Sequence, residues 1–257
     1  MTDSPRYSSE QLLSALKAAL DDPDGDSSRG QPARLDFERQ RRTGVPEIIQ
    51  AGSKSSELVI DLAHKMLGRT GRVLVSRIDD ELHAQMLDAF TDHRIERPAG
   101  STILRVVKPG MDVETGPGRI GVFTAGTSDV PRAEEIRLVA SEMGCRTRIW
   151  ADIGVAGLHR LVQPFRQAID NDVDVIVVVA GMDGALPSVI AGLSPVPVIG
   201  LPTSTGYGYG GHGEAALMSM LQTCSPGMTV VNVDNSVGAA IAAARIARVA
   251  RHEEFSG

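Results

Sequence analysis

The run Val175-Ile176-Val177-Val178-Val179-Ala180, followed by Gly181-Met182-Asp183-Gly184-Ala185-Leu186-Pro187, limits what this chain can fold into more than any other stretch. Five consecutive β-branched residues predict a strand that is apolar on both faces, which suits the centre of a parallel sheet covered by helices on each side. The strand stops at Gly181, and Leu186, Val189, Ile190 and Leu193 begin a helical pattern within a few residues. A tight strand-to-helix turn at a strand's carboxyl end is where open α/β sheets bind ligands, and the helix start there offers unpaired N–H groups to anions. Asp183 is the one charge in that turn.

The flanking sequence extends the pattern. Strands expected at 120–124, 147–151, 196–200 and 229–233 alternate with helices at 131–143, 158–169, 186–193, 214–222 and 237–251. Such βαβα order predicts an α/β fold with a doubly wound parallel sheet and right-handed crossovers, a three-layer arrangement of the Rossmann type. Ahead of it, a helix at 56–67, a strand at 72–76, a helix at 79–90 and a strand at 101–107 make a smaller α/β domain. Lys108-Pro109-Gly110 and Gly116-Pro117-Gly118 mark the boundary. Leu12, Leu13, Leu16 and Leu20 give residues 8–20 a helical spacing, and Asp21 to Pro32 reads as a linker. The expected division is thus 1–34, 35–117 and 118–257. In the last helix Ala239, Ala240, Ala242, Ala243 and Ala244 permit close approach to the sheet or to a partner chain.

Composition excludes several classes. A net charge of −6 over 257 residues, with no dense basic run beyond Arg39, Arg41 and Arg42, makes nucleic acid a poor partner. No apolar run reaches the roughly 18–20 residues a membrane helix needs, and the polar, acidic start lacks a signal core, so a cytoplasmic protein is expected. Cys145 and Cys224 cannot build a disulfide framework or, alone, a zinc cage.

Three turns follow strands of the larger domain and should meet at one sheet edge: Thr124 to Asp129, Ala180 to Pro187, and Leu201 to Gly213. Their small residues let backbone amides approach an anion, and Thr127, Ser128 and Ser204 add hydroxyl donors. Asp129, just before Pro131, is explained equally by helix capping. The third turn holds five glycines in residues 206–213, among them Gly208, with Tyr207, Tyr209 and His212 between them, as either a flexible connection or a lid that stacks on a planar ring. Residues 35–47, with Arg39 and Arg42, form either a solvated face or an arginine clamp for phosphate or carboxylate. Cys224 follows a helix, whose C-terminus is the wrong end of the dipole for lowering a thiol pKa. A reactive thiolate there needs other help, such as His212 or a cationic substrate.

These motifs resemble two related families. Gly126-Thr127-Ser128-Asp129, Ala180-Gly181…Leu186-Pro187 and Pro197 to Pro202 are similar to the turns of phosphoribosylaminoimidazole (AIR) carboxylase, which places a catalytic histidine before its Leu-Pro where this chain has Ala185. The whole chain resembles the LarB family of nickel-pincer nucleotide cofactor synthesis, through Asp36-x-x-Arg39-x-x-Arg42-x-Gly44-x-Pro46-Glu47, Ala180 to Pro187, Gly206-Tyr207-Gly208 and Cys224-x-Pro226-Gly227. That resemblance implies a pyridinium-3,5-biscarboxylic acid mononucleotide synthase: carboxylation of nicotinic acid adenine dinucleotide at C5 with CO2 or bicarbonate, then hydrolysis releasing AMP. It implies Cys224 as nucleophile and Asp183 as base. Arg39, Arg42, Gly126, Thr127, Ser128, Asp129, Gly181, Met182, Gly184, Ser204, Tyr207, Gly208 and His212 would contact substrate. Mg²⁺ is expected on the phosphates with no ligand set visible, and a homo-oligomer, commonly an octamer, is implied. The alternatives are an AIR carboxylase or mutase of purine type and a non-catalytic nucleotide-binding regulator.

Overall fold

A computed structural model describes residues 35–113 and 115–251, together with Glu10, Leu13, Ser14, Lys17 and Ala33. The expected 21–32 linker lies outside the described residues. So does most of the expected 8–20 helix, of which Glu10, Leu13, Ser14 and Lys17 are helical. The chain divides after Glu47 into two units. The first includes a short helix, α1 (Arg39–Thr43), which ends at Gly44 in the left-handed conformation that glycine adopts without steric cost.

Within the second unit a mixed sheet is built from β1 (Ile48–Gln50), β2 (Arg72–Ser76), β3 (Arg94–Glu96) and β4 (Ile103–Val107), in the order β1-β2-β4-β3. Helices α2 (Ser56–Thr70) and α3 (Asp80–Ala89) connect these strands and start on side-chain caps, Ser55 accepting from the Leu58 N–H and Asp79 from the Leu82 N–H. β1 and β3 are absent from the sequence expectation because three residues carry no readable alternation.

The second sheet is parallel throughout: β5 (Arg119–Thr124), β6 (Arg146–Trp150), β7 (Val175–Ala180), β8 (Val198–Pro202) and β9 (Met228–Val230), ordered β6-β5-β7-β8-β9. Between them run α4 (Val130–Glu142), α5 (Val162–Asp170), α6 (Ala185–Leu193), α7 (Glu214–Leu221) and, last, α8 (Ser236–Ala250). Every residue of β7 is buried, and the layering explains it. Ile176, Val178 and Ala180 join the core under α5, α6 and α7, so Val175, Val177 and Val179 point to the face covered by α8.

Three elements differ from expectation. The 158–169 helix splits into a 3₁₀ segment, Val155–Arg160, and α5, because Gly157 is non-helical and Pro164 fits only the first turn of a new helix. β8 runs two residues later than expected, ending on Pro202, and β9 stops at Val230. The alanine face of α8, offered above to sheet or partner, is used inside the subunit: Ala239, Ala240, Ala243, Ala244 and Ala247 are fully buried, and α8 packs on α4 and the sheet.

A buried ionic seam joins the two sheets. Arg105 on β4 donates to Glu142 at 2.8 Å and to the Ser141 hydroxyl at 2.9 Å, while Arg72 pairs with the other Glu142 oxygen at 2.8 Å. Charges this deeply placed persist only when paired. Among the described residues no helix is long and apolar enough to cross a membrane.

Candidate active site

In a parallel sheet of this strand order the chain reverses direction between β5 and β7, opening a crevice at their carboxyl ends. The turns flanking it are knitted together by Asp129. That residue closes a 3₁₀ turn (Thr127–Asp129) after β5 and is 3% exposed. One carboxylate oxygen accepts the Gly126 N–H at 3.1 Å, and the other accepts the Thr203 hydroxyl at 2.8 Å from the turn after β8. Burial raises its pKa, Asp234 adds in the same direction, and the bonds from Thr203 and Gly126 oppose the rise. Asp129 stands at the N-cap of α4, but its side chain makes no capping hydrogen bond to that helix, so the capping alternative does not account for it. Thr127 and Ser128 stay exposed on the rim.

The turn after β7 is glycine by necessity. A Cβ on Gly181 would lie 2.3 Å from the Thr205 carbonyl oxygen, and one on Gly184 would lie 2.6 Å from that of Ala216. Met182 N–H bonds to Thr205 O at 3.1 Å, locking this turn to the next. Asp183 is exposed at φ +55°, followed by Gly184 at +68°, and its carboxylate accepts the Ala185 N–H at 3.2 Å. The Asx-type bond aims the side chain outward at the start of α6.

Beyond Thr203 the glycine-rich loop exposes Ser204, Tyr207, Gly208, Tyr209 and His212. Positive φ at Gly206, Gly208, His212 and Gly213 keeps its backbone off the regular path. A fourth turn reaches the same edge without having been singled out. After β6, Asp152 at φ +58° donates its N–H to the Thr124 hydroxyl, and Arg160 pairs with its carboxylate at 2.5 Å. A Cβ on Gly154 would fall 2.7 Å from the Ala125 carbonyl oxygen. An acidic residue directly past a strand, with glycine close behind, was the available signal.

One expected group of this unit does not join the cluster. Cys224 is exposed, past the end of α7, in the loop that enters β9. Its neighbour Ser225 donates to Ser188 O on the flank of α6 at 2.8 Å. Among the described residues no hydrogen bond or ion pair links Cys224 to His212 or Asp183, so the expected help from His212 is not built into one chain. Cys145, by contrast, is buried against Gly118 and the Ala244 carbonyl. In the first unit, Arg39 pairs with Glu47 at 2.8 Å, and Arg42 donates to both Asp36 oxygens at 3.3 and 2.5 Å. The Arg42 bond draws the Asp36 pKa down. Both arginines of the expected clamp are thus already engaged by acids of their own segment. Among the described residues no three His, Cys, Asp or Glu side chains gather to hold a metal ion, and Mg²⁺ ordinarily needs only one or two carboxylates besides waters and substrate phosphates.

Comparison with known proteins accords with this geometry. Residues 119–255 match the family model AIR carboxylase, and residues 28–106 match a LarB/PurE-like N-terminal domain. An uncharacterized protein of Methanocaldococcus jannaschii is 40% identical over 222 residues, covering 84% of each chain. The N5-carboxyaminoimidazole ribonucleotide mutase of Pyrococcus horikoshii is 30% identical over 129 residues, covering 49% of this chain and 71% of that protein. The corresponding mutase of Thermotoga maritima is 28% identical over 135 residues, covering 50% and 74%. With a five-stranded parallel sheet, glycine turns at its carboxyl edge and a family match over more than half its length, the chain belongs to the AIR carboxylase family and carries a LarB/PurE-like N-terminal domain ahead of it.

Proposed function

We propose that this protein carboxylates the pyridinium ring of nicotinic acid adenine dinucleotide at C5 and hydrolyses its phosphoanhydride to release AMP, the LarB-type reaction. The observation that carries this reading is Ala185 at the head of α6: the imidazole expected before Leu186-Pro187 for purine chemistry is missing, and its backbone N–H instead binds Asp183. The LarB/PurE-like match at 28–106 supports the same reading.

The chemistry follows from the ring's electron deficiency. A pyridinium C5 cannot attack carbon dioxide until a nucleophile adds at C4 and converts the ring to a dihydropyridine enamine. Cys224 supplies the sulfur, and the cationic ring stabilises its thiolate. C5 then bonds to carbon dioxide, Asp183 removes the C5 proton, and the C–S electron pair returns to the thiolate as the pyridinium reforms. Proton and carboxylate exchange places with no oxidant needed.

Thr127, Ser128, Ser204 and the backbone of Gly126, Gly181, Met182, Gly184 and Gly208 receive the phosphates in this reading. Asp129 holds their turns together, and Tyr207 and His212 close over the ring. Arg39 and Arg42 bind the substrate carboxylate only by exchanging Asp36 and Glu47 for it. Mg²⁺ enters as counter-ion to the phosphates. A homo-oligomer, an octamer by resemblance, that seats one copy's Cys224 loop on another's carboxyl edge would unite sulfur and ring without rearranging either.

Incubation with nicotinic acid adenine dinucleotide, bicarbonate and Mg²⁺, followed by mass spectrometry, tests the reading. Gain of one carboxylate with AMP release supports it, and unchanged dinucleotide refutes it. The mutase names among the relatives favour a second reading, purine-type carboxyl transfer, which expects activity on a carboxyaminoimidazole ribonucleotide that survives loss of Cys224.

A further inference from the structure

Asp234 lies in the turn after β9 at φ +55°, and its carboxylate accepts the N–H of Ser204, the second residue of the glycine-rich loop, at 3.1 Å. The same oxygen stands 3.5 Å from Arg132 Nε, on the first turn of α4. Arg132 Nη1 donates to both oxygens of Glu135, at 2.8 and 3.0 Å, and to the Thr102 hydroxyl at 3.3 Å. Glu135 is 1% exposed. One of its oxygens also accepts the Thr102 N–H at 2.7 Å and hydroxyl at 2.9 Å, just ahead of β4, and the other accepts the Ser236 hydroxyl at the start of α8. An unbroken polar chain therefore runs from the four-stranded sheet to the rim of the crevice.

The charges explain why the chain holds one geometry. A carboxylate as buried as Glu135 requires the guanidinium, whose fork keeps its Nε edge for Asp234. We propose that Arg132 and Asp234 are positioning residues: oriented by Glu135 and the first sheet, they fix the Ser204 amide and thereby aim the 203–213 loop over the crevice. Ser204 is gripped from one side by Asp234 while its neighbour Thr203 is gripped from the other by Asp129. A turn residue with no such role would leave the loop unmoved when changed.

Amide hydrogen exchange across residues 203–213 in the free full-length protein tests this without reference to turnover. Asp234→Ala and Arg132→Ala are expected to speed exchange there about tenfold, with β5 to β9 unchanged and Arg132→Lys restoring part of the protection. Unaltered loop exchange, or acceleration spread over the whole sheet, overturns the proposal. If Arg132→Ala does not fold, Asp234→Ala decides alone. Only the kinetic arm rests on the proposed function: with nicotinic acid adenine dinucleotide, Asp234→Ala should raise KM several-fold and hold kcat, by the loss of about one hydrogen bond. A wild-type protein inert toward the dinucleotide would sink that reading while exchange still judges this one.

Discussion

The carboxyl edge of the parallel sheet and the loop around Cys224 are built on opposite principles. At the edge, the buried positions carry packing duties: Gly181 and Gly184 admit the chain's own carbonyls, and Asp129 ties the β5 turn to the β8 turn. Cys224 has no such duty, standing exposed, whereas Cys145 fills a gap beside Gly118 and α8. The difference separates two kinds of residue: those whose loss damages the fold and the site together, and one whose loss should damage only the chemistry.

That contrast is open to direct attack. The largest effect expected is on turnover: Cys224→Ser should lower dinucleotide carboxylation by about 10³-fold or more while leaving the melting temperature in place, as measured by product mass spectrometry and calorimetry. A second route asks whether the two regions act across copies. Mixed, co-refolded oligomers of Cys224→Ala and Asp183→Asn should regain activity that neither variant shows alone, and mixtures that stay inactive would keep both groups within one chain.

Next in size come the packing residues. Asp129→Ala strands the Thr203 hydroxyl and the Gly126 N–H, costing about 1–3 kcal/mol for each group left buried and unpaired. Chemical denaturation measures it. The pH dependence has a definite sign. Burial raises the folded carboxyl's pKa, so protonation favours the fold, and wild-type stability relative to Asp129→Asn should fall as pH rises from the ordinary carboxylate range through the shifted value. Gly181→Ala, pressed against Thr205 O, should cost about 1–3 kcal/mol by the same assay. Smallest is Thr127→Ala: its exposed position predicts a stability change within about 0.5 kcal/mol and a several-fold weaker KM at most.

Much of this was legible in the chain itself. Five β-branched residues placed β7 at a sheet centre, and the glycine turns after β5, β7 and β8 foretold a shared edge because parallel strands end together. Two strands of three residues escaped notice, since so short a run has no period to read. Arg39 and Arg42 read as either a solvated face or an arginine clamp because sequence shows charges without their partners; Asp36 and Glu47, from the same motif, pair with them. The Arg132–Asp234 link joins residues distant in sequence and belonged to no motif, and the sheet topology was needed to see it.

The proposed carboxylation depends on sulfur adding to the ring. Mixing the protein with nicotinic acid adenine dinucleotide while withholding carbon dioxide should produce the near-ultraviolet absorbance of a dihydropyridine in wild type and none in Cys224→Ala. A Cys224→Ala protein that develops the same band, and carboxylates the dinucleotide at the wild-type rate once bicarbonate is supplied, would contradict it.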